Sequence, residues 1–384
     1  MSGSKPRVLF LVTEDWYFCS HRLGLARALA AAGCEVGVAC RVTGHGAAIG
    51  REGFRLFPIK MSRSSINPFH LTASVARIAR VYGAFRPDIV HHVALKPALL
   101  GGLAARIAGI GKIINAVAGL GYVFSSSSLR ARLLRPAMRG CLRLLLDGAE
   151  VRVIVQNPED GAALSGPGMV AASRLRLIPG AGVDLTRFRP APEPLGPPRA
   201  TLVARMIVEK GIHELVEAAR GLAARGIDVR ITLAGESDAE NPSAIPQRTL
   251  RQWSEAGIVE VLGHVEDIPA LWAESHMAVL PSYYAEGVPL SLIEAAACAR
   301  PMIAADGPGL RDIVRHGETG LLVPPRDASA LADAIALLAA DPELRRRMGA
   351  QARRLAVEKF GSDAIIAQTL EVYGEILGDA WPKA

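Results

Sequence analysis

One stretch, residues 276–295, carries a strand, a loop and a helix in succession and reads HMAVLPSYYAEGVPLSLIEA. The apolar run His276–Leu280 predicts a short buried strand. Gly287 permits a sharp turn after that strand, and Pro289 suits the first turn of a helix because it lacks an N–H. The strand therefore ends in a loop whose free backbone N–H groups lie at a helix start, an arrangement that binds phosphate.

Two glutamates, Glu286 and Glu294, lie eight positions apart on this stretch. Glu286 falls in the predicted loop, where a carboxylate can bind sugar hydroxyls. Glu294 falls inside the predicted helix, near enough to reach a second part of the same ligand. The plain alternative is a buried helix with one surface glutamate and one capping glutamate.

A second constellation lies in residues 200–211, ATLVARMIVEKG. A strand-like run ends at Arg205, and Lys210 follows just before a helical pattern. Two cations at a strand end beside a helix start suit a diphosphate, because Arg binds in a fork while Lys acts as a point charge. The alternative is that both are solvated surface cations, as most Arg and Lys are.

Length and composition indicate a globular protein of two domains. The chain has 384 residues, of which 50% are hydrophobic and 5% aromatic. A chain of this length is too long to fold around one small core, and its apolar content excludes a disordered protein. Residues 1–190 contain 25 Lys and Arg against 10 Asp and Glu, whereas residues 191–384 contain 19 against 27, so the halves carry +15 and −8. A basic half predicts an anionic partner: a membrane surface, a nucleic acid or a phosphorylated substrate.

The sequence predicts a cytoplasmic location. No continuous apolar run reaches the ~18 residues of a spanning helix. The N-terminal apolar run Val8–Val12 is too short for a signal peptide. Five scattered cysteines without a C-x-x-C pair predict reduced, mostly buried thiols rather than disulfides or a zinc site. They are Cys19, Cys34, Cys40, Cys141 and Cys298.

Strand-like and helix-like segments alternate in both halves, which predicts parallel sheets with helices on both faces. In the first half, for example, we expect a helix over Ser20–Ala32 with Ser20 as its cap, and long helices over Pro68–Phe85 and Leu129–Leu146. The predicted fold class is α/β: two Rossmann-like parallel-sheet domains that face each other across a cleft. Ligands of such sheets bind at the carboxyl ends of the strands.

A proline-crowded segment, residues 190–198 with the sequence PAPEPLGPP, is the clearest linker. We therefore predict an N-terminal domain over residues 1–189, a linker over 190–199 and a C-terminal domain over 200–362. A terminal helix over about 363–384 is expected to pack back on the first domain.

Taken together, these residues resemble the retaining glycosyltransferases of family four, which have the two-domain GT-B fold. The resemblance covers nearly the whole chain and is best in the second half. Its motifs are Gly182-Val183-Asp184, Arg205 with Lys210, Gly263-His264-Val265 before Asp267, the Glu286/Glu294 pair, and residues 316–323, HGETGLLV.

The resemblance implies a role for each of these residues. Arg205 and Lys210 would hold the donor diphosphate, Glu286 the donor sugar and Glu294 the nucleotide ribose. Further donor-binding positions are His264, Val265, Gly287, Val288, Pro289 and Leu290. The implied reaction transfers a sugar from a nucleoside diphosphate sugar, with uridine as the expected base, and retains the anomeric configuration.

No metal and no other cofactor is expected in that reaction. Arg205, Lys210 and the amides of Gly287–Leu290 would stabilise the leaving diphosphate, and the leaving phosphate itself could accept the proton of the acceptor hydroxyl. No D-x-D motif follows an apolar strand. The nearest match, residues 238–240 (DAE), is interpreted as an exposed acidic loop.

The N-terminal half resembles a subgroup that builds polysaccharide or glycan repeat units on a polyprenyl diphosphate lipid. The resembling segments are residues 18–22 (FCSHR), 87–96 (PDIVHHVALK) and 115–124 (NAVAGLGYVF). Many relatives carry histidine where this chain has Ala118, which leaves the usual catalytic histidine without a counterpart.

Acceptor-binding candidates follow from these segments: His21, Arg22, His91, Lys96, Gly119 and Gly121. His21 and Arg22 are expected at the start of the first helix, where they would meet an anionic acceptor diphosphate or merely cap the helix. His91 and His92 end a predicted strand, and the alternative for them is one buried and one exposed histidine without a ligand.

The predicted helix Leu129–Leu146 carries a row of arginines among leucines. An amphipathic basic helix can lie on an anionic bilayer, so we expect a peripheral location on the inner face of the cell membrane. The alternative is a core helix with a solvated arginine face, kinked at Pro136. The arginines are Arg130, Arg132, Arg135, Arg139 and Arg143.

The sequence leaves three alternative functions. A nucleotide-sugar epimerase of the same two-domain shape is the main alternative, but it needs acid/base carboxylates that residues 1–150 scarcely offer. A nucleic-acid or membrane-binding module without activity leaves Arg205, Lys210 and the glutamate pair unexplained, so no nucleic acid is expected. A dinucleotide-binding oxidoreductase lacks the G-x-G-x-x-G that should follow the first strand.

Overall fold

The computed structural model describes residues 5–61, 67–117, 119, 129–166, 169–238, 241–283 and 286–382, without the side chains of 129–135 and 137. The chain divides into two compact units. The first comprises Met1–Ala181 with Asp363–Ala384, and the second is Gly182–Ser362. The proline-rich segment 190–198 thus groups with the second unit, and the C-terminal helix with the first.

The first unit is built on a parallel sheet. Its strands are β1 (Arg7–Glu14), β2 (Glu35–Arg41), β3 (Arg55–Pro58), β4 (Ile89–Val93), β5 (Ile113–Val117), β6 (Val151–Val155) and β7 (Leu175–Leu177). Within the described ranges the order is β3-β2-β1-β4-β5-β6-β7, and each neighbouring pair is parallel. The order reverses between β1 and β4, where ligands of such sheets bind.

Helices cover both faces of this sheet. One layer contains α1 (Asp15–His21), α2 (Leu23–Ala31), α3 (Gly46–Arg51) and α15 (Ser362–Leu377). The other contains α4 (Pro68–Phe85), α5 (Leu95–Ala108), α6 (Leu129–Leu146) and α7 (Pro158–Ser165). Two arginines of the sheet, Arg152 and Arg176, bind Glu375 of α15 with contacts of 3.0 and 2.6 Å.

Strand β1 shows why the sequence forms a doubly covered sheet. Its residues Val8–Val12 are all buried. Side chains alternate between faces, so Phe10 packs in the layer of α15 while Leu9 and Leu11 pack in the layer of α4. A continuous apolar run is typical of a parallel strand that is buried on both faces.

The predicted first helix, Ser20–Ala32, is wrong at its start. The helix begins at Asp15, breaks at Arg22 and resumes as α2, so His21 and Arg22 end the first segment rather than begin it. Ser20 is no cap, since its hydroxyl donates to the Trp16 carbonyl at 2.9 Å. The acidic Asp15 directly after the strand was the missed signal, because a carboxylate favours a helix start.

The second unit has the same architecture. Its strands are β8 (Arg199–Val203), β9 (Arg230–Ala234), β10 (Glu260–Gly263), β11 (Met277–Leu280), β12 (Met302–Ala305) and β13 (Gly320–Val323). Its helices are α8 (Ile212–Ala224), α9 (Gln247–Glu255), α10 (Ile268–Ala273), α11 (Leu290–Ala297), α12 (Leu310–Ile313), α13 (Ala328–Ala340) and α14 (Pro342–Lys359).

The described strands of this unit pair in the order β10-β9-β8-β11-β12-β13, all parallel. The chain runs outward from β8 in one direction and from β11 in the other. These two adjacent, buried strands therefore form the point at which the strand order reverses. The connections that follow the carboxyl ends of β8 and β11 therefore lie side by side, at the position where open α/β sheets bind ligands.

Candidate donor site in the second unit

The carboxyl ends of β8 and β11 bring together two residues that are 76 positions apart, Lys210 and Glu286. Lys210 ends a short 3-10 turn, Val208–Lys210, in the connection from β8 to α8. Glu286 lies between β11 and α11. The two predicted constellations therefore occupy one edge of one sheet.

Gly211 allows the two connections to touch. Its φ is +73°, and a Cβ built there would lie 2.2 Å from the Pro281 carbonyl oxygen. The Tyr283 N–H donates to the Glu209 carbonyl at 3.0 Å, which ties the two connections together. A side chain at position 211 would push them apart, so the site depends on glycine at this position.

A compact polar cluster lies at this junction. The Lys210 ammonium forms an ion pair with Glu286 Oε1, and the Ser282 hydroxyl donates to the same oxygen at 2.7 Å. The Lys210 and Glu286 side chains are only 13% and 12% exposed. Ser282 was missed in the sequence analysis, although it lies four positions before Glu286. A charge-assisted bond to a largely buried carboxylate fixes the orientation of that group.

The connection between β12 and α12 packs against the loop that contains Glu286. Gly309 lies between β12 and α12 with a φ of +74°. A Cβ there would lie 1.9 Å from the Gly287 carbonyl oxygen and 2.8 Å from that of Glu286. The loop that holds the glutamate therefore packs directly on a backbone that has no side chain. Sequence reasoning missed this contact, whose signal was the turn sequence of residues 306–309, DGPG.

The start of α11 offers an anion site beside this cluster. The helix begins at Leu290, with Pro289 as its N-cap rather than in its first turn. Proline supplies no side-chain hydrogen bond to the first turn. The first N–H groups of α11 and the positive end of its dipole therefore lie beside Val288 and Gly287, as an anion requires.

Arg205 follows β8 at the same sheet edge, but its described ion pair is with Asp238. The two side chains are 2.9 Å apart and 31% and 21% exposed. Asp238 belongs to the segment that the sequence predicts to be an exposed acidic loop, and the structure gives this residue a specific cationic partner. A ligand that binds Arg205 therefore meets a guanidinium that is already paired with Asp238 through one of its nitrogens.

Glu294 lies within α11, and its electrostatics differ from those of Glu286. Burial raises the pKa of the Glu294 carboxyl to about 8, against the opposing effect of the Arg187 charge. The group is therefore mostly protonated at pH 7 in this structure. A protonated carboxyl both donates and accepts, which suits a pair of vicinal hydroxyls as well as a carboxylate does.

His264 and Val265 follow β10 at the same edge of the sheet. His264 is exposed and Val265 is half-buried. The Gly235 N–H, directly after β9, donates to the Gly263 carbonyl at 2.7 Å, so the connections after β9 and β10 are held together. All donor-binding candidates of the second unit thus follow the carboxyl ends of its strands or lie on α11.

In the first unit, His21 and Arg22 lie at the junction of α1 and α2. The His21 ring stacks on Tyr17, with centroids 4.0 Å apart. Burial and the nearby Arg22 charge lower the pKa of His21 to about 3. Arg22 is 7% exposed, and its Nε has no hydrogen-bond partner among the described residues. Because His21 is neutral at pH 7, Arg22 is the cation of this pair.

The predicted contact of His91 with an acceptor is not supported by its position. The ring is fully buried, stacks on Phe10 and shares a 2.7 Å hydrogen bond with the Tyr373 hydroxyl. His92 is buried as well, between the Tyr82 hydroxyl and the Asn115 side chain, each at 2.8 Å. Both histidines pack in the core on opposite faces of β4, so we correct the assignment of His91.

Of the remaining acceptor candidates, Lys96 lies in the first turn of α5 and is half-buried, which lowers the pKa of its ammonium. Gly119 has a φ of +87° two residues after β5. Ala118 and Gly121 lie outside the described residues, as do the side chains of Arg130, Arg132 and Arg135. Arg139 and Arg143 are exposed.

Two absences hold for the described part of the chain. It contains no group of three or more His, Cys, Asp or Glu side chains that could hold a metal ion. Its helices include none that combines the length and the apolar character needed to cross a bilayer. All five cysteines lie in described ranges and are free thiols.

Two family models together match most of the sequence. Residues 7–158 match "Glycosyl transferase 4-like", and residues 185–355 match "Glycosyl transferases group 1". With the fold described above, these matches identify the chain as a GT-B enzyme of the glycosyltransferase class. It belongs to the family-four glycosyltransferases, as the sequence motifs indicated.

Two curated relatives differ in the share of the chain that they cover. The alpha-D-kanosaminyltransferase of Streptomyces kanamyceticus is 34% identical over 47% of this chain and 46% of its own. A Campylobacter jejuni protein is 26% identical over 85% of this chain and 87% of its own. That protein is named N,N'-diacetylbacillosaminyl-diphospho-undecaprenol alpha-1,3-N-acetylgalactosaminyltransferase. The chain spans about half or less of the length of the first curated relatives that it matches.

Solved structures share the fold over nearly the entire chain. Sucrose-phosphate synthase from Thermosynechococcus elongatus superposes with a TM-score of 0.80 at 24% identity, over 98% of this chain and 100% of its own. Anabaena Alr3699/HepE in complex with UDP-glucose gives 0.75 at 18% identity, over 96% and 99%. At these identities the likeness shows the fold alone.

Proposed function

We propose that the chain transfers a sugar from a UDP-sugar to a polyprenyl-diphosphate-linked glycan, with retention at the anomeric carbon and without a metal. The observation that carries the proposal is the Lys210–Glu286 pair beside the uncapped start of α11, at the point where the strand order of the second sheet reverses. A cation, a carboxylate and free amides in one place suit a sugar diphosphate.

The proposed role of these residues is electrostatic stabilisation of the leaving diphosphate. The bond between the anomeric carbon and the diphosphate oxygen breaks, and a bond from that carbon to the acceptor oxygen forms. The acceptor proton passes to the departing phosphate, so no strong side-chain base is needed. Lys210 and the amides at the start of α11 neutralise the negative charge that develops on the leaving group.

Donor binding must rearrange the pair that exists without ligand. The diphosphate competes with Glu286 for the Lys210 ammonium, and Glu286 in turn receives sugar hydroxyls as replacement donors. Ser282 stays hydrogen-bonded to Glu286 and keeps its orientation during the exchange. Arg205 joins the diphosphate by the same kind of exchange with Asp238.

The choice of donor and acceptor rests on relatives rather than on geometry. Uridine is supported by the UDP-glucose complex with the same fold. A lipid-linked acceptor is supported by the name of the Campylobacter protein, which aligns over most of both chains. The nucleotide-sugar epimerase remains the alternative, and none of the relatives described above carries that activity in its name.

One experiment separates these possibilities. The full chain is incubated with a panel of UDP-, GDP- and dTDP-sugars and a polyprenyl-diphosphate glycan in EDTA, and the products are analysed by mass. We expect the acceptor to gain one sugar from a UDP donor, with its anomeric configuration retained by NMR. An epimerised nucleotide sugar without a lengthened acceptor, or a strict requirement for added metal, would contradict the proposal.

A further inference from the structure

A fully buried carboxylate, Asp15, directly follows β1 in the first unit. It accepts five hydrogen bonds. One comes from the neighbouring N–H of Trp16 at 2.9 Å. The other four come from residues 43–45, which follow β2. Asp15 therefore links the connections that follow two neighbouring strands of the sheet.

Three of the four bonds from residues 43–45 come from the backbone. The Oδ2 atom accepts from the N–H groups of Thr43 at 2.9 Å, Gly44 at 3.0 Å and His45 at 2.6 Å. The Thr43 hydroxyl donates to Oδ1 at 2.6 Å. Burial by itself raises the pKa of a carboxyl, but these donors outweigh it and lower the pKa of Asp15 to about 2. In the described part of the chain the charge is balanced by these donors and not by a cation.

The segment that Asp15 holds is itself exposed. We call residues 42–45 the β2 loop; all four residues are exposed, and the loop connects β2 to α3. A buried charge is costly unless its hydrogen bonds are satisfied, and here the loop backbone satisfies them. The loop is therefore held in one conformation although it contributes little to the core. Loops that a rigid scaffold positions in this way commonly carry binding function.

A bulge at the end of β1 precedes Asp15. Leu11 pairs with Ala39 of β2, and the next pair is Glu14 with Arg41, so β1 advances by three positions where β2 advances by two. Because side chains alternate along a strand, the extra residue changes the face on which each following side chain lies. Bulges are frequent beside active sites, where they redirect a side chain. The redirected residues include Asp15, at the strand where the order of the first sheet reverses.

The β2 loop lies at the edge of the first sheet where ligands of such sheets bind. At the same edge α1, which ends before Arg22, follows β1, and α5, with Lys96 in its first turn, follows β4. Those two cations suit a diphosphate. The β2 loop differs in chemistry, because its sequence VTGH contains no Lys, Arg, Asp or Glu.

The polar groups of the loop suit sugar hydroxyls. The Thr43 hydroxyl donates its proton to Asp15, so its oxygen is left to accept a hydrogen bond from a ligand. The imidazole of His45 can both donate and accept. A diphosphate, in contrast, is bound best by cations. The loop is therefore matched to the neutral part of a glycan that carries a diphosphate.

We propose that Asp15 is a positioning residue for the acceptor: it fixes the β2 loop so that the loop contacts the sugar which the acceptor presents for transfer. Asp15 itself touches no substrate, because it is buried beneath the loop. The inference rests on the proposed function for the nature of the ligand and adds to it which part of the acceptor this loop recognises.

The first test is Asp15→Asn. An amide has one acceptor oxygen in place of two, so part of the loop loses its acceptor. We expect the KM for the acceptor to rise by about tenfold or more, as loss of hydrogen bonds to a charged group implies. The donor KM and kcat should stay close to those of wild type. An unchanged acceptor KM, or an equal rise in both KM values, would overturn the inference.

A second variant removes one bond at the surface, where folding is not at risk. Thr43→Val should raise the acceptor KM, and Thr43→Ser, which keeps the hydroxyl, should restore it. The matched control is Thr186→Val, which removes a like contact of 2.7 Å between a threonine hydroxyl and Asp184 in the second unit. The control should leave the acceptor KM unchanged. Equal effects of valine at positions 43 and 186 would contradict the proposed role.

Hydrogen exchange measures the positioning directly. The amides of residues 43–45 should exchange slowly in wild type, although the loop is exposed, because they donate to a buried carboxylate. In Asp15→Asn they should exchange at least about tenfold faster. Equal protection in both proteins would show that the loop does not depend on Asp15.

Binding experiments separate this inference from the proposed function. Calorimetry is carried out without donor, with a short water-soluble polyprenyl diphosphate that carries the glycan and with one that lacks it. Asp15→Asn and Thr43→Val should weaken binding of the first and not of the second. Equal weakening of both ligands would overturn the assignment of the loop to the sugar. Glycan-dependent binding by a wild-type chain that transfers no sugar from any donor would overturn the proposed function alone.

Discussion

The Lys210 ammonium and the Glu286 carboxylate form an ion pair across the two strand ends at which the order of the second sheet reverses. Since both side chains are largely buried, the pair survives only while each supplies the counter-charge of the other. A sugar diphosphate brings both a new anion for the lysine and new donors for the glutamate. Under the proposed function, the pair therefore presents a cation to the diphosphate and a carboxylate to the sugar hydroxyls.

Removal of either partner should reduce transfer strongly. We expect Glu286→Gln and Lys210→Met each to lower kcat/KM by at least about 100-fold, because each removes a group that stabilises the transition state. The double variant should lose less than the sum of the two, as expected for residues that act on one centre. The measurement is UDP release with the fold checked by circular dichroism, and Glu343→Gln and Lys359→Met serve as exposed controls. Rates near wild type in either site variant would contradict the assignment.

Ser282 should act as a positioning residue for Glu286. Its hydroxyl donates to Glu286 Oε1 at 2.7 Å, and hydrogen bonds to charged groups are worth about 1.5–3 kcal/mol. We therefore expect Ser282→Ala to lower kcat by about 10- to 100-fold with a smaller change in KM. Ser282→Thr keeps the hydroxyl and should restore most of the rate. A variant that loses stability but not kcat, with no rescue by threonine, would leave Ser282 a packing role only.

The sequence predicted two long helices with their bounds but missed two short strands. Pro68–Phe85 and Leu129–Leu146 have the bounds that were predicted from their periodicity, and α4 has Asn67 as a clear cap, accepting from Phe69 N–H at 2.9 Å. The four-residue strands β12 and β13 were not predicted. Length alone does not explain this, because β11 also has four residues and was predicted, whereas β12 and β13 are recognised as strands only by their pairing with neighbouring strands.

The site residues that could be predicted from the sequence are those that lie close along the chain to the end of a recognisable strand. Glu286, the helix start and Lys210 all follow strand ends that the sequence marks. The contact of Gly309 with Gly287 could not be predicted, because it depends on how two separate connections pack. His91 was misassigned because helices cover both faces of the first sheet, so every side chain of β4 is buried whichever face it lies on.

Glu294 should make the free energy of unfolding fall as the pH rises from about 4.5 to about 8. Its pKa is about 8 in the folded protein against an ordinary 4.5, so the folded state holds a proton that the unfolded chain releases. The resulting stability is fully present below about 4.5 and is lost as pH rises through 8, by at most about 1.4 kcal/mol per pH unit. Glu294→Gln stays neutral, so its free energy of unfolding should exceed that of wild type progressively from pH 5 to 8. A difference that does not change with pH in urea titrations would refute the raised pKa.

His92 should have the opposite effect at low pH. Burial lowers its pKa to about 4, while the unfolded chain binds the proton near 6.5. The stability it contributes is complete above 6.5 and is lost as pH falls through 4. His92→Gln removes this titration and, by disturbing the bonds to Tyr82 and Asn115, should cost about 1–3 kcal/mol at pH 7. Urea unfolding at pH 7 and pH 4.5 should show a smaller penalty at the lower pH, and the exposed His45→Gln should show none at either.

Gly309 should control activity through the loop that carries Glu286. A Cβ at this position would meet the Gly287 and Glu286 carbonyl oxygens, so Gly309→Ala must displace the loop. The positive φ adds about 1–2 kcal/mol of backbone strain by itself. Gly257→Ala is the matched control, because Gly257 has a φ of +67° and open space where its Cβ would lie.

The two glycine variants should therefore share a similar strain but differ in activity. We expect both to lose about 1–2 kcal/mol of unfolding free energy, with a further loss in Gly309→Ala from the clash. Only Gly309→Ala should lower kcat, by about tenfold or more, because misplacement of a positioned catalytic group by even 1 Å is costly. Measuring kcat well below the unfolding temperature of each variant separates the two effects. If Gly257→Ala lost as much kcat as Gly309→Ala, backbone strain rather than the placement of Glu286 would explain the result.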